Sequence, residues 1–351
     1  RGGGSKDFWG QSFTGEVLDT RGYRGIVSYE PSELVVTVRA GTPLAELEAT
    51  LAEQGQYLAF EPPNFGSQSA TCGGMVAAGL SGPARAGVGG VRDYVLGVQM
   101  VNGRGEHLTF GGQVMKNVAG YDVSRLMVGA MGTLGLLTEI SLKVLPVAPA
   151  EATLVFQLDQ AAALAQLHRW GAQPLPLNAS CWVCDDTAPG APELLFVRLR
   201  GAIAAVESAC KKMLADVPGE RMDNAQTGPD WAACRDLKLP FFNSPADPSL
   251  ALWRLSVPQT APVLALPWPQ LIEWHGGLRW LWAPASAREQ LRQAVSAVGG
   301  SATLFIAASN KPTATKNCFS HLSPAIEQIH RRLKAEFDPA GIFNPGRMYA
   351  D

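Results

Sequence analysis

Short apolar and β-branched runs, separated by glycine-rich turns, make up residues 1 to about 146 of the chain. Leu34–Val38 predicts a buried strand, and residues 132–144 predict a strand-rich stretch that ends before Pro146. Val95–Val101 and His107–Phe110 flank a turn at Asn102–Gly105, which predicts a β-hairpin. This part of the chain is therefore expected to be rich in β-structure.

One helix interrupts these strands. Thr42 is the predicted N-cap, and Pro43 takes the first helical position, where its missing N–H costs nothing. Leu44, Leu47 and Leu51 then fall on one face, so this face is expected to be buried.

The pattern changes after residue 150. Ala161–Trp170 and Ala202–Leu214 predict amphipathic helices, and Leu194–Leu199 predicts a strand. Strands and helices alternate loosely to about residue 310, residues 309–317 predict a polar loop, and Pro324–Phe337 predicts a last helix. The pattern predicts an α+β chain with domains at residues 1–149 and 150–323, and a C-terminal segment, 324–351, that returns to the first domain.

Composition narrows the class of protein. A composition of 46% hydrophobic and 17% charged residues is typical of a globular chain, and the length of 351 residues suits two or three domains. The net charge of −2 provides no basic field for nucleic acid or an anionic membrane. No apolar run is long enough to predict a membrane span.

The first residues of the chain and its cysteines each lead to a further expectation. Residues 1–6 read as the middle of a motif, with no apolar segment of a signal peptide after them, so further residues are expected upstream of Arg1. The six cysteines are too scattered for a disulfide framework, which favours a reducing compartment.

Three segments concentrate glycine and other small residues. Arg1–Lys6 contains three consecutive glycines, whose N–H groups can converge on an anion, although a glycine run at a chain start can also be disordered. Glu61–Gly82 contains Thr71-Cys72-Gly73-Gly74-Met75, which fits either a bound ligand or a tight helix–sheet contact. Val114–Gly135 follows the hairpin and lacks the Rossmann spacing of glycines between a strand and a helix. Binding of a dinucleotide through separate loops is therefore favoured over a Rossmann-type nicotinamide site.

The order of these motifs resembles the FAD-binding fold of the vanillyl-alcohol oxidase and para-cresol methylhydroxylase family. The resemblance runs from the Gly-Gly loop and Thr-x-Gly-Gly through Arg92–Gly97, Gly120-Tyr121-Asp122 and Gly132–Gly135 to Asn344-Pro345-Gly346. More narrowly, Val114–Leu126 and Phe343–Tyr349 are similar to the FAD-binding subunit of the bacterial glycolate oxidase complex. The resemblance implies a two-lobed FAD-binding domain of the vanillyl-alcohol oxidase type and a smaller α+β second domain.

The resemblance also implies the cofactor residues. Gly2–Lys6 and Ser69–Gly74 are expected at the pyrophosphate, Gly79 beside the cofactor, the Leu137 backbone at the adenine, and Tyr121 and Asp122 toward the flavin. The full predicted set is Arg1, Gly2, Gly3, Gly4, Ser5, Lys6, Pro62, Ser69, Thr71, Gly73, Gly74, Met75, Gly79, Tyr121, Asp122, Gly132, Leu137 and Asn344. The first loop has Ser5 where members with covalent flavin often carry histidine, so FAD is expected to be noncovalent. Cys72 is a candidate attachment thiol, but small packing beside glycine is the favoured interpretation.

Catalytic residues cannot be assigned from the pattern. The five histidines, at positions 107, 168, 275, 321 and 330, form no cluster of the kind that binds a metal or takes a substrate proton. His168 and His330 are expected at the surface, and His275 is expected to pack among tryptophans. Cys181 and Cys184 form a lone C-x-x-C, and no cysteine series fits an iron–sulfur cluster or a metal site. The nine tryptophans fit either a large subunit interface or an ordinary core.

Taken with the resemblance, these features favour an FAD-dependent oxidoreductase subunit. It is expected to assemble with a catalytic flavin subunit and an iron–sulfur subunit that oxidise glycolate to glyoxylate, in an auxiliary or electron-transferring role. The alternatives are a free-standing FAD-dependent 2-hydroxy-acid dehydrogenase and a structural subunit with a vestigial FAD site. A cytoplasmic location is expected, at most peripheral to the inner membrane through the complex, with no nucleic acid partner.

Overall fold

The computed structural model describes residues 1–12, 15–65, 69–112, 121–184, 190–308 and 318–349. The chain forms two compact units. Unit 1 comprises Arg1–Ser81, Gly89–Val147 and Thr313–Asp351, and unit 2 comprises Gly82–Val88 and Ala148–Pro312. The short segment Gly82–Val88, which the sequence analysis placed with the first domain, thus packs with unit 2.

Unit 1 is built on a five-stranded antiparallel sheet in the order β1-β2-β6-β4-β5, with a separate two-stranded pair, β3-β7. Its strands are β1 (Ile26–Glu30), β2 (Val35–Arg39), β3 (Gln56–Tyr57), β4 (Val95–Val101), β5 (His107–Gly111), β6 (Leu136–Lys143) and β7 (Leu145–Pro146). Its helices are α1 (Leu44–Glu53), α2 (Cys72–Ala78), α4 (Val123–Leu126) and α9 (Pro324–Phe337).

The sequence-based elements of unit 1 are largely confirmed. The hairpin is present, and its turn is stabilised because Asn102 Oδ1 accepts from the N–H groups of Arg104 at 2.9 Å and Glu106 at 3.0 Å. The apolar face of α1 is buried, with Leu44, Leu47 and Leu51 at most 1% exposed.

The predicted cap of α1 is wrong by one residue. Pro43 is the N-cap, with φ −56° and ψ 133°, and no side chain caps the helix. The Thr42 hydroxyl instead donates to Arg39 O at 2.7 Å and accepts from Gly25 N at 2.9 Å. Thr42 therefore stabilises the chain before the helix.

Unit 2 is an eight-stranded antiparallel sheet in the order β11-β8-β10-β9-β13-β14-β12-β15. Its strands are β8 (Ala150–Gln157), β9 (Leu177–Cys184), β10 (Glu193–Gly201), β11 (Glu220–Met222), β12 (Leu250–Ser256), β13 (Gln270–Glu273), β14 (Leu278–Pro284) and β15 (Ser301–Ile306). Its helices are α3 (Arg85–Val88), α5 (Gln160–Gly171), α6 (Ile203–Asp216), α7 (Asn224–Arg235) and α8 (Arg288–Ser296).

Helices cover both faces of this sheet. Helices α5, α6 and α8 supply apolar side chains to one face, where Trp170 and Trp253 are fully buried. Helix α7 contacts the other face through a hydrogen bond from Trp231 Nε1 to Thr153 Oγ1 at 3.0 Å. The predicted loop at residues 309–317 lies outside the described residues.

Candidate cofactor site

A cleft of about 670 Å³ lies in unit 1 between the glycine-rich first loop, helix α2, the chain leading into β6 and the C-terminal turn. This volume is in the range of small-molecule and cofactor sites. Twelve of the predicted cofactor residues line it: Arg1, Gly2, Gly3, Gly4, Ser5, Lys6, Thr71, Gly73, Gly74, Gly132, Leu137 and Asn344.

The first loop offers a row of free amide donors to this cleft. Within the described residues, none of the backbone N–H groups of Gly2, Gly3, Gly4 and Ser5 donates to a protein acceptor. Half-buried N–H groups without protein partners are rare unless a ligand or water accepts from them. Consecutive N–H groups of this kind form a concave anion site, so the loop fits a diphosphate.

Glycine is needed in this loop because the loop packs tightly on the segment before α2. A Cβ on Gly3 would lie 1.4 Å from Ser69 O, and one on Gly2 would lie 2.2 Å from Thr71 Oγ1. Ser69 Oγ also donates to Gly3 O at 2.9 Å. Arg1–Lys6 and the segment before α2 therefore pack directly against each other.

The amino end of α2 contributes space rather than donors. Its N–H groups are already engaged, since Cys72 donates to Thr42 O at 2.9 Å, Gly73 to Ala40 O at 2.7 Å and Gly74 to Thr71 Oγ1 at 3.2 Å. A Cβ on Gly74 would approach only Thr71 Oγ1, at 3.2 Å. The absence of a side chain at Gly74 thus leaves room in the cleft.

Arg347 is a residue of the site that the sequence analysis did not single out. It is 7% exposed, and its guanidinium donates to Gln11 O at 2.6 Å, Asp7 O at 3.1 Å and Trp9 O at 2.5 Å. Burial lowers its pKa, partly offset by the nearby Asp7 carboxylate. The C-terminal segment therefore holds the chain that follows the glycine loop. In the sequence, this segment was indicated by the resemblance of Phe343–Tyr349, which contains the Asn-Pro-Gly motif.

An ion pair between half-buried Lys334 and buried Asp338 shapes the same C-terminal turn. Lys334 Nζ donates to Asp338 Oδ2 at 2.6 Å, to Thr133 O at 2.8 Å and to Phe343 O at 2.8 Å. Burial by itself raises the pKa of Asp338, but Lys334 and the N–H groups of Phe343 and Ile342 outweigh it and hold that pKa below its usual value. The network fixes the turn before Asn344.

Asn344 joins that turn to the Gly132 segment. Its Nδ2 donates to Met131 O at 2.8 Å. Gly132 has φ +69°, and a Cβ there would lie 2.9 Å from Asn344 Nδ2. The two predicted residues are thus in direct contact at the cleft wall.

Six predicted residues do not line this cleft: Pro62, Ser69, Met75, Gly79, Tyr121 and Asp122. Met75 is a core side chain at 1% exposure, and Pro62 is buried. Gly79 ends α2 with φ +64°, where a Cβ would lie 2.9 Å from the Gly129 backbone.

The two residues predicted to lie toward the flavin, Tyr121 and Asp122, are at or near the protein surface and outside the cleft. Tyr121 is 98% exposed, and Asp122 caps α4 by accepting from Arg125 N at 3.0 Å. A contact of Tyr121 and Asp122 with the flavin stays a prediction, and residues 114–120 and Gly66 of the predicted motifs lie outside the described residues.

The Cys72 thiol is fully buried at the start of α2. Burial, with smaller contributions from Glu48 and Glu46, raises its pKa. A buried thiol with a raised pKa is a poor nucleophile. These properties support packing as the role of Cys72.

None of the histidines lines the cleft. His275, which was expected to pack among tryptophans, has Nδ1 2.9 Å from Ser180 Oγ, and burial lowers its pKa to about 4. His330 is exposed as expected, whereas His168 is half-buried, with Nε2 2.6 Å from Gln259 O.

Cys181 and Cys184 do not form a C-x-x-C redox pair. Cys181 and Cys184 are three residues apart on β9, so their side chains point to opposite faces of the sheet. No group of three or more His, Cys, Asp or Glu side chains is placed to hold a metal ion in these described ranges.

The tryptophans belong to the cores of the two units. Seven of the nine are at most 7% exposed, and Trp268 and Trp282 are half-buried. They therefore give no support to the tryptophan interface considered from the sequence. In the described ranges, no helix combines the length and hydrophobicity needed to cross a membrane.

Comparisons with known proteins agree with this geometry. Residues 1–111 match the family described as "FAD binding domain". The chain is 46% identical over 351 residues to the glycolate oxidase subunit GlcE of Escherichia coli strain K12, covering 100% of this chain and 92% of that protein.

More distant relatives match only part of the chain. A D-lactate dehydrogenase of Anaerostipes hadrus is 35% identical over 134 residues, which is 38% of this chain and 28% of that protein. The glycolate oxidase subunit GlcD of Bacillus subtilis strain 168 is 32% identical over 152 residues, 43% of this chain and 32% of that protein.

Solved structures of an alkyldihydroxyacetonephosphate synthase share the fold. One has a TM-score of 0.62 at 17% identity and covers 93% of this chain and 66% of that one. This similarity and the α+β architecture confirm the predicted fold class, the FAD-binding fold of the vanillyl-alcohol oxidase type.

Proposed function

Because this chain belongs to the family of the glycolate oxidase subunit GlcE, we propose that it is an FAD-binding subunit of a multisubunit flavin and iron–sulfur dehydrogenase that oxidises glycolate to glyoxylate. It is an FAD-dependent oxidoreductase subunit, and its cofactor is FAD. In this proposal its partners are a catalytic flavin subunit and an iron–sulfur subunit of the same complex, and any membrane association is peripheral.

The single observation that carries the FAD site is the row of unpaired amides in the first loop. The N–H groups of Gly2–Ser5 would donate to the diphosphate, and Lys6 would add positive charge at the same place. Gly74 leaves the space that the cofactor needs, and the Leu137 backbone would meet the adenine. Arg347 keeps the chain after the loop in position.

FAD, when bound, accepts two electrons from a donor and can pass them on one at a time. The residues of this chain bind and orient it noncovalently in the proposal, since Cys72 is buried and Ser5 replaces the histidine of covalent members.

The composition of the cleft supports an auxiliary or electron-transferring role. Oxidation of a 2-hydroxy acid needs a base within hydrogen-bond reach of the hydroxyl. The acidic residues that line the cleft are Asp7, which pairs with Arg1, and Glu16, which is exposed.

The test compares the purified chain with the complex obtained by co-expression with its partner subunits. We expect one releasable FAD per chain, flavin absorbance at about 450 nm, and little glycolate-dependent reduction of an artificial acceptor by the chain alone. The complex should turn over glycolate. Robust turnover by the isolated chain would rule out the auxiliary role, and a flavin-free chain in an active complex would rule out the FAD site.

A further inference from the structure

Part of the cofactor cleft is lined by apolar residues, where the chain leading into β6 runs beside the turn after α9. We call this part the apolar slot, and its residues are Leu136, Leu137, Ile342 and Phe343. Ile342 is 61% exposed, and the other three are half-buried. The slot therefore differs in chemistry from the first loop, whose amide N–H groups suit a diphosphate.

The exposure of Ile342 is fixed by the turn in which it lies. Its N–H donates to Asp338 Oδ1 at 3.1 Å, and the N–H of Phe343 donates to Asp338 Oδ2 at 2.7 Å. The turn cannot withdraw Ile342 without losing charge-assisted hydrogen bonds to a carboxylate that is 2% exposed. A single exposed isoleucine needs no explanation on an open surface. Beside three other apolar residues of a cofactor cleft, it indicates contact with an apolar part of the ligand.

Lys334 connects the two sides of the apolar slot. Its Nζ donates to Thr133 O at 2.8 Å, on the side that leads into β6, and to Phe343 O at 2.8 Å, on the side of the turn. Asp338 Oδ2, 2.6 Å from the same Nζ, neutralises the ammonium group. Two carbonyl groups that accept from one ammonium group are held at a fixed separation. Lys334 therefore sets the width of the slot.

The two ring systems of FAD differ in what they need from a protein. Adenine has apolar faces and an edge that carries hydrogen-bond donors and acceptors. The isoalloxazine ring must stay within reach of the molecules that exchange electrons with it. Strand β2 pairs with β6 only as far as Glu139, so on that edge the backbone of Leu136 and Leu137 has no partner strand. An apolar slot beside an open strand edge suits adenine better than isoalloxazine.

We propose that the apolar slot holds the adenine ring of FAD and that Lys334 is the positioning residue that sets its width. Ile342 packs on one face of the purine, so the C-terminal turn makes the subunit select a dinucleotide over a flavin mononucleotide. The proposal rests on the FAD site described above. It goes further because it assigns the selectivity for FAD over FMN to particular side chains.

The test is a fluorescence titration of the flavin-free full chain with FAD and, separately, with FMN. FMN keeps the isoalloxazine ring and a phosphate but has no adenine to place in the slot. The parent should bind FAD more tightly than FMN, and ADP should compete with FAD. Equal affinities of the parent for FAD and FMN would overturn the slot alone. A parent that binds neither flavin would instead overturn the proposed FAD function.

Ile342→Ser tests the apolar contact without leaving a cavity, because the side chain is exposed. It should weaken FAD binding by at least about ten-fold, or about 1.4 kcal/mol, and change FMN binding by less than about two-fold. Ile203→Ser, at a residue of α6 that is 62% exposed, is the matched control and should bind both flavins like the parent. Unchanged FAD affinity of Ile342→Ser, or equal losses for FAD and FMN, would contradict the proposal.

Lys334→Met tests the positioning role, because methionine has a similar length but cannot donate to the two carbonyl groups. It should weaken FAD binding by at least about ten-fold and FMN binding much less. Lys334→Arg, which keeps the charge and donors, should recover part of the selectivity. The melting temperature without flavin is measured for each variant, since Lys334→Met leaves buried Asp338 without its counter-charge. A Lys334→Met variant with parent-like FAD selectivity would show that Lys334 does not set the slot.

Discussion

At the scale of single residues, two physical requirements favour glycine in the first loop: close packing against neighbouring atoms and access to the backbone amides. Gly2 and Gly3 are limited by what lies against them, since an added Cβ would overlap Thr71 and Ser69. The amides of Gly2–Ser5 are free to donate, which a bulkier loop would hide. Gly74 differs, because the space it leaves belongs to the cleft.

Replacing Gly3 with alanine should therefore weaken FAD binding. The Cβ would lie 1.4 Å from Ser69 O, so the first loop must move away from its neighbour and its donors lose their alignment. We expect at least a roughly ten-fold weaker affinity, which corresponds to about 1.4 kcal/mol. Flavin retained after gel filtration and a fluorescence titration of the flavin-free protein with FAD would measure it.

Gly22→Ala is the matched control, because the exposed Gly22 has nothing within 4 Å of an added Cβ. It should bind FAD like the parent. Equal affinity of the Gly3 and Gly22 variants would mean that the first loop does not contact the cofactor.

Cys72 provides a second prediction at this scale. Its thiol is buried and its pKa is raised by burial, so it should neither alkylate in the folded protein nor carry the flavin. Acid precipitation should release all FAD to the supernatant, and Cys72→Ala should keep a parent-like flavin content. Flavin that stays with the precipitated parent but not with the variant would contradict noncovalent binding.

At the scale of elements, the turn after α9 is held by charge rather than by apolar packing. No residue of α9 is fully buried, whereas Asp338 at its end is 2% exposed and accepts from Phe343 N at 2.7 Å and Ile342 N at 3.1 Å. With Lys334 it connects the helix to the Thr133 carbonyl. The cleft wall that includes Asn344 therefore depends on this ion pair.

Asp338→Asn should lower the free energy of unfolding by about 1–3 kcal/mol at neutral pH, since it leaves half-buried Lys334 without its counter-charge. The pKa of Asp338 is depressed in the folded protein, so its contribution is complete above the unfolded pKa of about 4 and is lost as pH falls further. The difference between parent and variant should thus be constant from neutral pH to about pH 5 and shrink in more acidic solution.

Denaturant unfolding across this pH range is the measurement. Glu327→Gln, on the same helix, removes an exposed pair with Arg331 and should change stability little. If the difference in the free energy of unfolding between the parent and Asp338→Asn stayed constant down to acidic pH, the charge of the Asp338 carboxylate would not contribute to stability.

At the scale of the whole molecule, each unit has its own sheet and core, and the surface retains large apolar side chains. Ile203 is 62% exposed, Ile329 50% and Val27 45%. Scattered exposed apolar residues are common, but a chain of a multisubunit family is expected to cover some of them with partners.

The chain expressed alone should therefore be poorly soluble or oligomeric, and co-expression with the proposed partner subunits should give a defined heteromeric complex. Size-exclusion chromatography with light scattering would measure both states. A well-behaved monomer without affinity for those subunits would count against the proposed assembly.

The pattern of the sequence was enough for most elements of unit 1 and for the α+β class, whereas the FAD-binding fold was expected from the resemblance. Alternating apolar runs and turn residues specify a hairpin such as β4–β5, because side-chain period and turn chemistry are local properties. The cap of α1 was misplaced because Thr42 had a stronger partner in Arg39 O, a choice that local preference does not reveal.

The candidate site was likewise predictable from the sequence only in part. The sequence by itself determined that three glycine-rich segments exist and that one begins with consecutive amides free of side chains, because residue type controls backbone access. Only the tertiary structure decided which amides remain unpaired and that Arg347 holds the chain after the first loop from 336 to 341 positions away. Partners distant in sequence meet only in the folded chain, so the availability of a donor or a charge is a property of the fold.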